Sequence, residues 1–130
     1  MRRCDALRAL SSEHHHGLVI TVKVKRAIGT AEAERVWQEV RERFVTELEP
    51  HFQEEEVGLL PALERVGETE LVRRTHADHS ELRRMIREGG MQNMADFGEL
   101  LSQHIRFEER ELFEVAQQKI SPDDLAALMK

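Results

Sequence analysis

The 130-residue chain contains no tyrosine, one cysteine, three prolines and no hydrophobic run long enough to cross a membrane, which takes about 20 apolar residues. The single cysteine, Cys4, cannot form an internal disulfide, and it leaves no set of thiolates for an iron–sulfur or structural zinc site. With so few prolines and only seven glycines, the composition favours a helical domain over a loop-rich or disordered chain, and it excludes a collagen, a mucin or a porin.

Charged residues make up 34% of the chain and hydrophobic residues 40%, and the formal net charge is -6. Acidic and basic residues are interspersed, so no basic surface indicates a nucleic-acid partner. The length predicts one domain over residues 1–130. The first residues include two arginines but lack the apolar stretch of a secretory signal. Together with the single cysteine, this predicts a cytoplasmic protein with no membrane partner.

Four helical patterns extend over residues 3–118, with breaks at Gly29-Thr30, Gly67-Glu68 and Gly89-Gly90. Connections of a few residues place successive helices side by side, so the sequence predicts an all-α, up-down-up-down four-helix bundle. Ser121 and Pro122 are typical of a helix start and predict a short extra helix over residues 121–130. Inside the second pattern, Pro50 predicts a kink.

The stretch from Leu18 to Val24 is rich in β-branched residues, and its composition alone would tolerate a strand. A lone strand would have no pairing partner, because no other segment has a strand pattern, and we therefore interpret the stretch as helix. We expect Leu18 and Val22 to face the core. Ile20 and Val24 would then be covered by a terminal segment or by a partner subunit, so a homodimer or another protein partner is one expectation.

Two histidine–glutamate pairs have the same spacing of four residues: His51 with Glu55, and His104 with Glu108. Residues four apart lie on one face of a helix, so each pair directs an imidazole and a carboxylate to a common point. Both pairs continue the hydrophobic stripe of their helix and are predicted to face the core. An ionised carboxylate in a core is costly unless it is paired or binds a cation, so the two pairs predict a buried metal site.

The first and third helical patterns show a weaker similarity to these pairs. Each has a histidine three residues before a leucine, namely His15 and His79. We select His15 from a run of three histidines because it precedes Leu18 on the expected core face, and His14 is the alternative. Four imidazoles and two bridging glutamates suit two metal ions with open positions for water or a small diatomic molecule. Iron, manganese and zinc all accept such ligands.

The order H, HxxxE, H, HxxxE on four helices, with EE-x-x-LLP from Glu55 and EE-x-x-LF from Glu108, resembles the hemerythrin-like, or HHE cation-binding, domains. The resemblance spans about Leu7 to Ala116. It implies a bundle around a non-heme di-iron centre that binds dioxygen, nitric oxide or peroxide, or that senses iron and oxygen. The ligands that it implies are His15, His51, Glu55, His79, His104 and Glu108, with the two glutamates as bridges.

The chain departs from the invertebrate oxygen carriers of this family at two places. Those proteins have an HxxxH pair on the third helix, where this chain has Thr75 instead of the first histidine, and a final aspartate five residues after the last histidine. His76 is a further candidate ligand, and here Glu108 follows His104 by four residues. A missing fifth imidazole favours reactive or sensing chemistry over reversible oxygen transport.

Two other functions remain open at this point. A metal-responsive interaction module would use bound ions to stabilise the bundle for a partner, without turnover, and a metal-free helical scaffold would hold no ion.

Ferritin-like di-iron proteins need Glu-x-x-His twice, and this chain has it once, at Glu13 and His16. The metalloprotease motif HExxH is missing, and a chain without tyrosine cannot form a tyrosyl radical beside the metals.

Overall fold

A computed structural model describes residues 3–128, in which every regular element is a helix. The first long helix is α1, Asp5–Ala27. The second long helix extends over residues 33–65 and consists of α2 (Ala33–Arg43), α3 (Glu49–Glu54) and α4 (Leu60–Arg65). Two wide π-helical turns join these pieces, at Phe44–Leu48 and at Glu55–Leu59.

The third long helix is α5, Thr69–Glu88, which ends at Gly89 in the left-handed conformation that favours glycine. The fourth follows a 3-10 turn at Met91–Asn93 and consists of α6 (Met94–Phe107), a π-helical turn at Glu108–Leu112 and α7 (Phe113–Lys119). The predicted breaks thus fall between the long helices. None of the helices in the described residues has the length and hydropathy that a membrane span requires.

A short fifth helix, α8 (Pro122–Leu128), follows the bundle. The Ser121 hydroxyl accepts a hydrogen bond from the backbone N–H of Asp124, as expected of a residue that begins a helix. Residues 129–130 of the predicted extra helix lie outside the described residues, as do residues 1–2 of the predicted domain.

Two hydrophobic clusters fill the bundle, one towards each end. The first joins the end of α1 to the start of α2, the end of α5 and the start of α6 through Val24, Trp37, Met85 and Phe97. The second joins the opposite ends of the same four long helices through Leu7, Leu63, Val72 and Phe113. The prediction of an all-α helical bundle is confirmed, and this alternation of helix ends supports the up-down-up-down order.

Both prolines inside the second long helix are the second residue after the end of a π-helical turn. A proline in a helix interior removes one hydrogen bond and clashes with the preceding turn, so it needs a locally widened backbone. Pro50 follows the turn at Phe44–Leu48, and Pro61 follows the turn at Glu55–Leu59. The irregularity predicted near Pro50 therefore takes the form of a wide turn, and helical structure continues to Arg65.

The first helix faces the core with a different side from the one that we predicted. Ile20 and Val24 are buried within the bundle itself, whereas Leu18 and Val22 are 41% and 46% exposed. The prediction is wrong because the core stripe passes through a glycine, Gly17, that hydrophobicity alone does not reveal. The full stripe is Leu7, Leu10, His14, Gly17, Ile20, Val24 and Ala27.

Gly17 belongs to this stripe because the fourth long helix passes close to it. A Cβ atom at Gly17 would lie 2.7 Å from Cδ1 of Ile105, and one at Gly98 would lie 2.9 Å from Cγ1 of Val24. Real Cβ atoms almost never come this near to another heavy atom. The two glycines therefore permit the close approach of α1 and α6, and this approach determines which face of α1 is buried.

The pair Ile20→Ala and Leu18→Ala tests this orientation of α1. Removal of a fully buried isoleucine side chain is expected to lower the free energy of unfolding by about 2–5 kcal/mol, through lost burial and the cavity left behind. The half-exposed Leu18 is expected to lose less than about 1 kcal/mol. Urea denaturation of both variants measures the difference, and equal losses would contradict the orientation.

Candidate metal centre

Six ionisable side chains meet between the two hydrophobic clusters, and all four long helices contribute to them. They are His14 from α1, His51 and Glu55 from the second long helix, His79 from α5, and His104 and Glu108 from the fourth. None of the six is more than 5% exposed, and both glutamates are completely buried. A wide π-helical turn begins at each of the two glutamates, a feature that is frequent at functional sites.

The six side chains form two groups, each of which could hold one ion. The first group contains His14 and His51, the second contains His79 and His104, and both contain Glu55 and Glu108. Within each group, the possible ligand atoms lie within 4.8 Å of one another. Ligand atoms placed about 2.0–2.2 Å from a common ion would be separated by about 3–4.4 Å, so small inward movements suffice.

The two glutamates connect the groups, because each directs one oxygen to either side. In Glu55, Oε2 lies 3.5 Å from His51 Nε2 and Oε1 lies 3.2 Å from His79 Nε2. In Glu108, Oε1 lies 2.8 Å from His14 Nε2 and Oε2 lies 3.3 Å from His104 Nε2. Each glutamate could therefore supply one oxygen to an ion in either group.

Most of the inward-facing atoms have no hydrogen-bond partner, although they are buried. They are Nε2 of His51, His79 and His104, both carboxylate oxygens of Glu55, and Oε2 of Glu108. Buried polar atoms are normally paired, because an unpaired atom has lost its interaction with water without replacement. Imidazole nitrogens and carboxylate oxygens are suitable ligands for iron, manganese and zinc, so these atoms fit a pair of metal ions.

A second set of carboxylates surrounds the imidazoles, and we call Glu13, Glu56, Asp78 and Glu109 the outer carboxylates. Each accepts a hydrogen bond from Nδ1 of a histidine on a neighbouring helix. The donor–acceptor distances are 3.2 Å for His51 to Glu13, 2.7 Å for His79 to Glu56, 2.9 Å for His104 to Asp78 and 2.7 Å for His14 to Glu109. Such a bond leaves Nε2 directed inwards, as a metal-binding histidine requires.

The four bonds form a closed ring around the bundle. Each long helix supplies one imidazole and one outer carboxylate, and every bond runs from one helix to the preceding helix, with α1 bonding back to the fourth. The ring therefore links the orientation of every inward-facing imidazole to one neighbouring helix, and every long helix to both of its neighbours.

The carboxylates of the site control the protonation of its histidines when no metal is bound. Burial alone would lower the pKa of His51, but the nearby carboxylates of Glu108 and Glu55 and the hydrogen bond to Glu13 outweigh it and raise the pKa to about 12. Burial would likewise lower the pKa of His104, but the charge of Glu108 and the hydrogen bond to Asp78 outweigh it and raise the pKa to about 10.

The pKa of His14 is raised in the same way: hydrogen bonds to Glu108 and Glu109 overcome the effect of burial. Conversely, burial would raise the pKa of Glu108, but His104 and the other imidazoles lower it well below its usual range. In the metal-free protein, the positive imidazoles thus occupy the role that cations would have.

The structure places five of the six sequence-predicted ligands together, and it replaces the sixth. His15 is exposed at the surface, and His14 lies in the site instead, so the selection of His15 is wrong. The reason is the rotation of α1: the stripe through Leu10 and Gly17 includes residue 14 and excludes residue 15. The alternative that the sequence left open, His14, is the one that the fold selects.

The other uncertain candidate, His76, is also exposed and does not join the site. Thr75 beside it is completely buried, and its hydroxyl donates a hydrogen bond of 2.8 Å to the backbone oxygen of Leu71. Among the described residues, the third helix therefore contributes one imidazole to the site.

Sequence reasoning did not identify the outer carboxylates. A signal was nevertheless present: an acidic residue directly precedes His14 and His79, and a second glutamate directly follows Glu55 and Glu108. Adjacent residues point about 100° apart on a helix. When the site residue faces the centre of the bundle, the acidic residue next to it therefore faces the neighbouring helix.

Comparison with protein-family models supports the same conclusion. The model described as hemerythrin HHE cation binding domain matches residues 2–116. The chain belongs to this family. The match covers the four long helices and both groups of the site in this HHE domain, and the sequence-based resemblance is thereby confirmed. Comparison with curated proteins and with solved structures gives no significant match.

The raised histidine pKa values predict how pH affects the metal-free HHE domain. A histidine whose pKa is higher in the folded state stabilises the fold below its unfolded pKa of about 6.5, and this contribution is lost as pH rises. The free energy of unfolding should therefore fall between about pH 6.5 and the pKa of His104, about 10.

Urea denaturation in the presence of a chelator, at several values across this interval, measures the effect. The variant His104→Gln should show a weaker dependence on pH, and His15→Gln, which alters an exposed residue, should keep the wild-type slope. A free energy of unfolding that stays constant or rises over the interval would contradict the prediction.

Proposed function

We propose that this HHE domain binds two iron ions and that it binds, senses or reacts with a small oxidant or diatomic molecule such as dioxygen, peroxide or nitric oxide. His14 and His51 would hold one ion and His79 and His104 the other, with Glu55 and Glu108 as bridges. Manganese and zinc fit the same ligands. A cytoplasmic location is part of the proposal.

The observation that carries the proposal is the convergence of unpaired, buried Nε2 and carboxylate oxygen atoms on two common points. A structural role without metal would pair these atoms with one another at both the distance and the angle of a hydrogen bond, as His14 and Glu108 are paired. The cation-binding family to which the chain belongs supports the same interpretation.

The ligand set supports small-molecule chemistry as well as storage of an ion. Two imidazoles and two carboxylate oxygens give each position four protein ligands, and iron commonly takes five or six. When bound, iron supplies an open coordination position and one-electron redox chemistry. The chain itself holds the imidazoles in orientation, bridges the two positions and surrounds them with phenylalanine side chains that exclude water.

The single imidazole from the third helix supports reactive or sensing chemistry over reversible transport. Thr75 stands where the oxygen carriers of the family have a further histidine, and its hydroxyl is already bonded within its own helix. A metal position with one protein ligand fewer would be more accessible to a reacting molecule.

The ring of outer carboxylates favours a second candidate, a metal-responsive module that a partner recognises. Because each imidazole is bonded to a neighbouring helix, ion binding would stabilise all four long helices together.

An absorption spectrum that changes with oxygen, peroxide or nitric oxide favours the first function. Metal-dependent thermal stability without such a response favours the second.

Metal analysis of purified variants tests the ligands. Wild-type protein is expected to hold about two ions per chain, and Glu55→Ala or Glu108→Ala should lose at least one of them, because each glutamate belongs to both positions. Chelation should lower the melting temperature of the wild type. Unchanged stoichiometry in both variants would contradict the assignment.

The pair His14→Ala and His15→Ala gives a matched comparison within one tripeptide. His14→Ala should weaken metal binding, and His15→Ala should leave the stoichiometry and the affinity unchanged, because the second imidazole is exposed to solvent. Titration with Fe²⁺ in the absence of oxygen measures both. A loss of metal only in His15→Ala would contradict the proposal, because it would show that the first helix directs His15 and not His14 towards the site.

A further inference from the structure

Two of the four inward-facing imidazoles are held by the same three kinds of group: a phenylalanine, a glutamate and an arginine. His14 stacks on Phe113, with ring centroids 5.3 Å apart and an interplanar angle of 4°. Its Nδ1 donates to Glu109, and Arg3 donates to the same carboxylate at 3.2 Å and to the backbone oxygen of Glu109 at 2.8 Å. The Arg3 guanidinium also lies 5.5 Å from the Phe113 ring centroid.

His79 has the equivalent surroundings. It stacks on Phe52, with centroids 3.9 Å apart and an angle of 11°. Its Nδ1 donates to Glu56, which Arg83 binds with two hydrogen bonds, of 2.8 and 3.0 Å. The Arg83 guanidinium lies 5.7 Å from the Phe52 centroid and also binds Glu49.

We call these two sets the arginine clamps: Arg3, Glu109, His14 and Phe113 in one, and Arg83, Glu56, His79 and Phe52 in the other. They do not follow from the internal similarity of the chain. Arg83 lies one helical turn after His79, whereas Arg3 precedes the first helix, and the phenylalanine follows the outer glutamate in one clamp and precedes it in the other. Different sequence positions therefore lead to the same geometry.

The remaining two imidazoles lack this arrangement. Their outer carboxylates, Glu13 and Asp78, are bound by no arginine in the described part of the chain, and the Glu13 side chain is 40% exposed. Each ion position thus contains one clamped and one unclamped histidine: His14 with His51, and His79 with His104.

We propose that Arg3 and Arg83 are positioning residues for the two metal positions, an inference that rests on the proposed function. Arg83 holds the Glu56 carboxylate through two bonds, and Arg3 holds Glu109 through its carboxylate and its backbone oxygen. Each guanidinium thereby restricts the movement of the glutamate, which then fixes the rotation of the stacked imidazole through Nδ1. Each incoming ion meets one histidine already oriented, so less conformational freedom is lost on binding.

Arg83→Met and Arg3→Met test the clamps, because methionine keeps the apolar stem and removes the guanidinium. Exposed arginines close by provide matched controls. Arg84→Met removes a side chain that binds Glu81 and Glu88 on the same helix, and Arg8→Met removes one that binds Asp5. Co²⁺ is the probe, since its absorption reports coordination, and circular dichroism of the metal-free proteins establishes that each variant is folded.

In Arg83→Met and in Arg3→Met, we expect one of the two Co²⁺ ions to bind about 10–100-fold more weakly, as is typical when the partner of a metal-binding histidine is lost. Both controls should stay within about twofold of wild type. Because Arg3 lies before the first helix, its variant tests the idea even if Arg83→Met does not fold.

The outcomes separate the two proposals. A wild-type protein that binds no Co²⁺ overturns the proposed function, and the role of the clamps with it. A wild type that binds two ions, with both clamp variants indistinguishable from their controls, overturns the clamps alone. Weaker binding in only one variant confines the positioning role to that arginine.

Discussion

The two completely buried carboxylates, Glu55 and Glu108, impose the constraint on which the centre of this structure depends. Two negative charges a few ångströms apart in a dry interior need positive charge beside them. The chain supplies four imidazoles, and the raised pKa values of His14, His51 and His104 mean that their protons offset this charge when no cation is present. The same six side chains are the ones that ions would require, so protons and metal ions compete for one set of atoms.

The surroundings of the site follow from this constraint. Imidazoles that must direct Nε2 inwards need a partner on Nδ1, and the outer carboxylates provide it at 2.7–3.2 Å. Acidic residues so near the core need partners in turn, and Arg3 and Arg83 bind two of them. Positive and negative groups thus alternate outwards from the two central glutamates: imidazoles surround the glutamates, the outer carboxylates surround the imidazoles, and arginines bind two of these carboxylates at the partly exposed rim.

The sequence was sufficient for the fold and for most of the site because the deciding residues repeat with helical spacing. His51 with Glu55 and His104 with Glu108 continue strong hydrophobic stripes, and their burial follows from that alone. The first helix was different: its stripe includes Gly17, and a glycine becomes a core position only through its neighbour Ile105 on another helix. His14 and the outer carboxylates likewise depend on which helices are adjacent, information that a single helical pattern does not contain.

The closed ring of imidazole–carboxylate bonds has a consequence for folding. Residues 5–65 and residues 69–119 are two helical hairpins, and each retains one of the four bonds, His51 to Glu13 or His104 to Asp78. The other two bonds cross between the hairpins. A hairpin on its own would lose one imidazole donor and one carboxylate acceptor partner beside an apolar surface, so we expect neither half to be a stable intermediate. The bundle should accordingly assemble in a single cooperative transition.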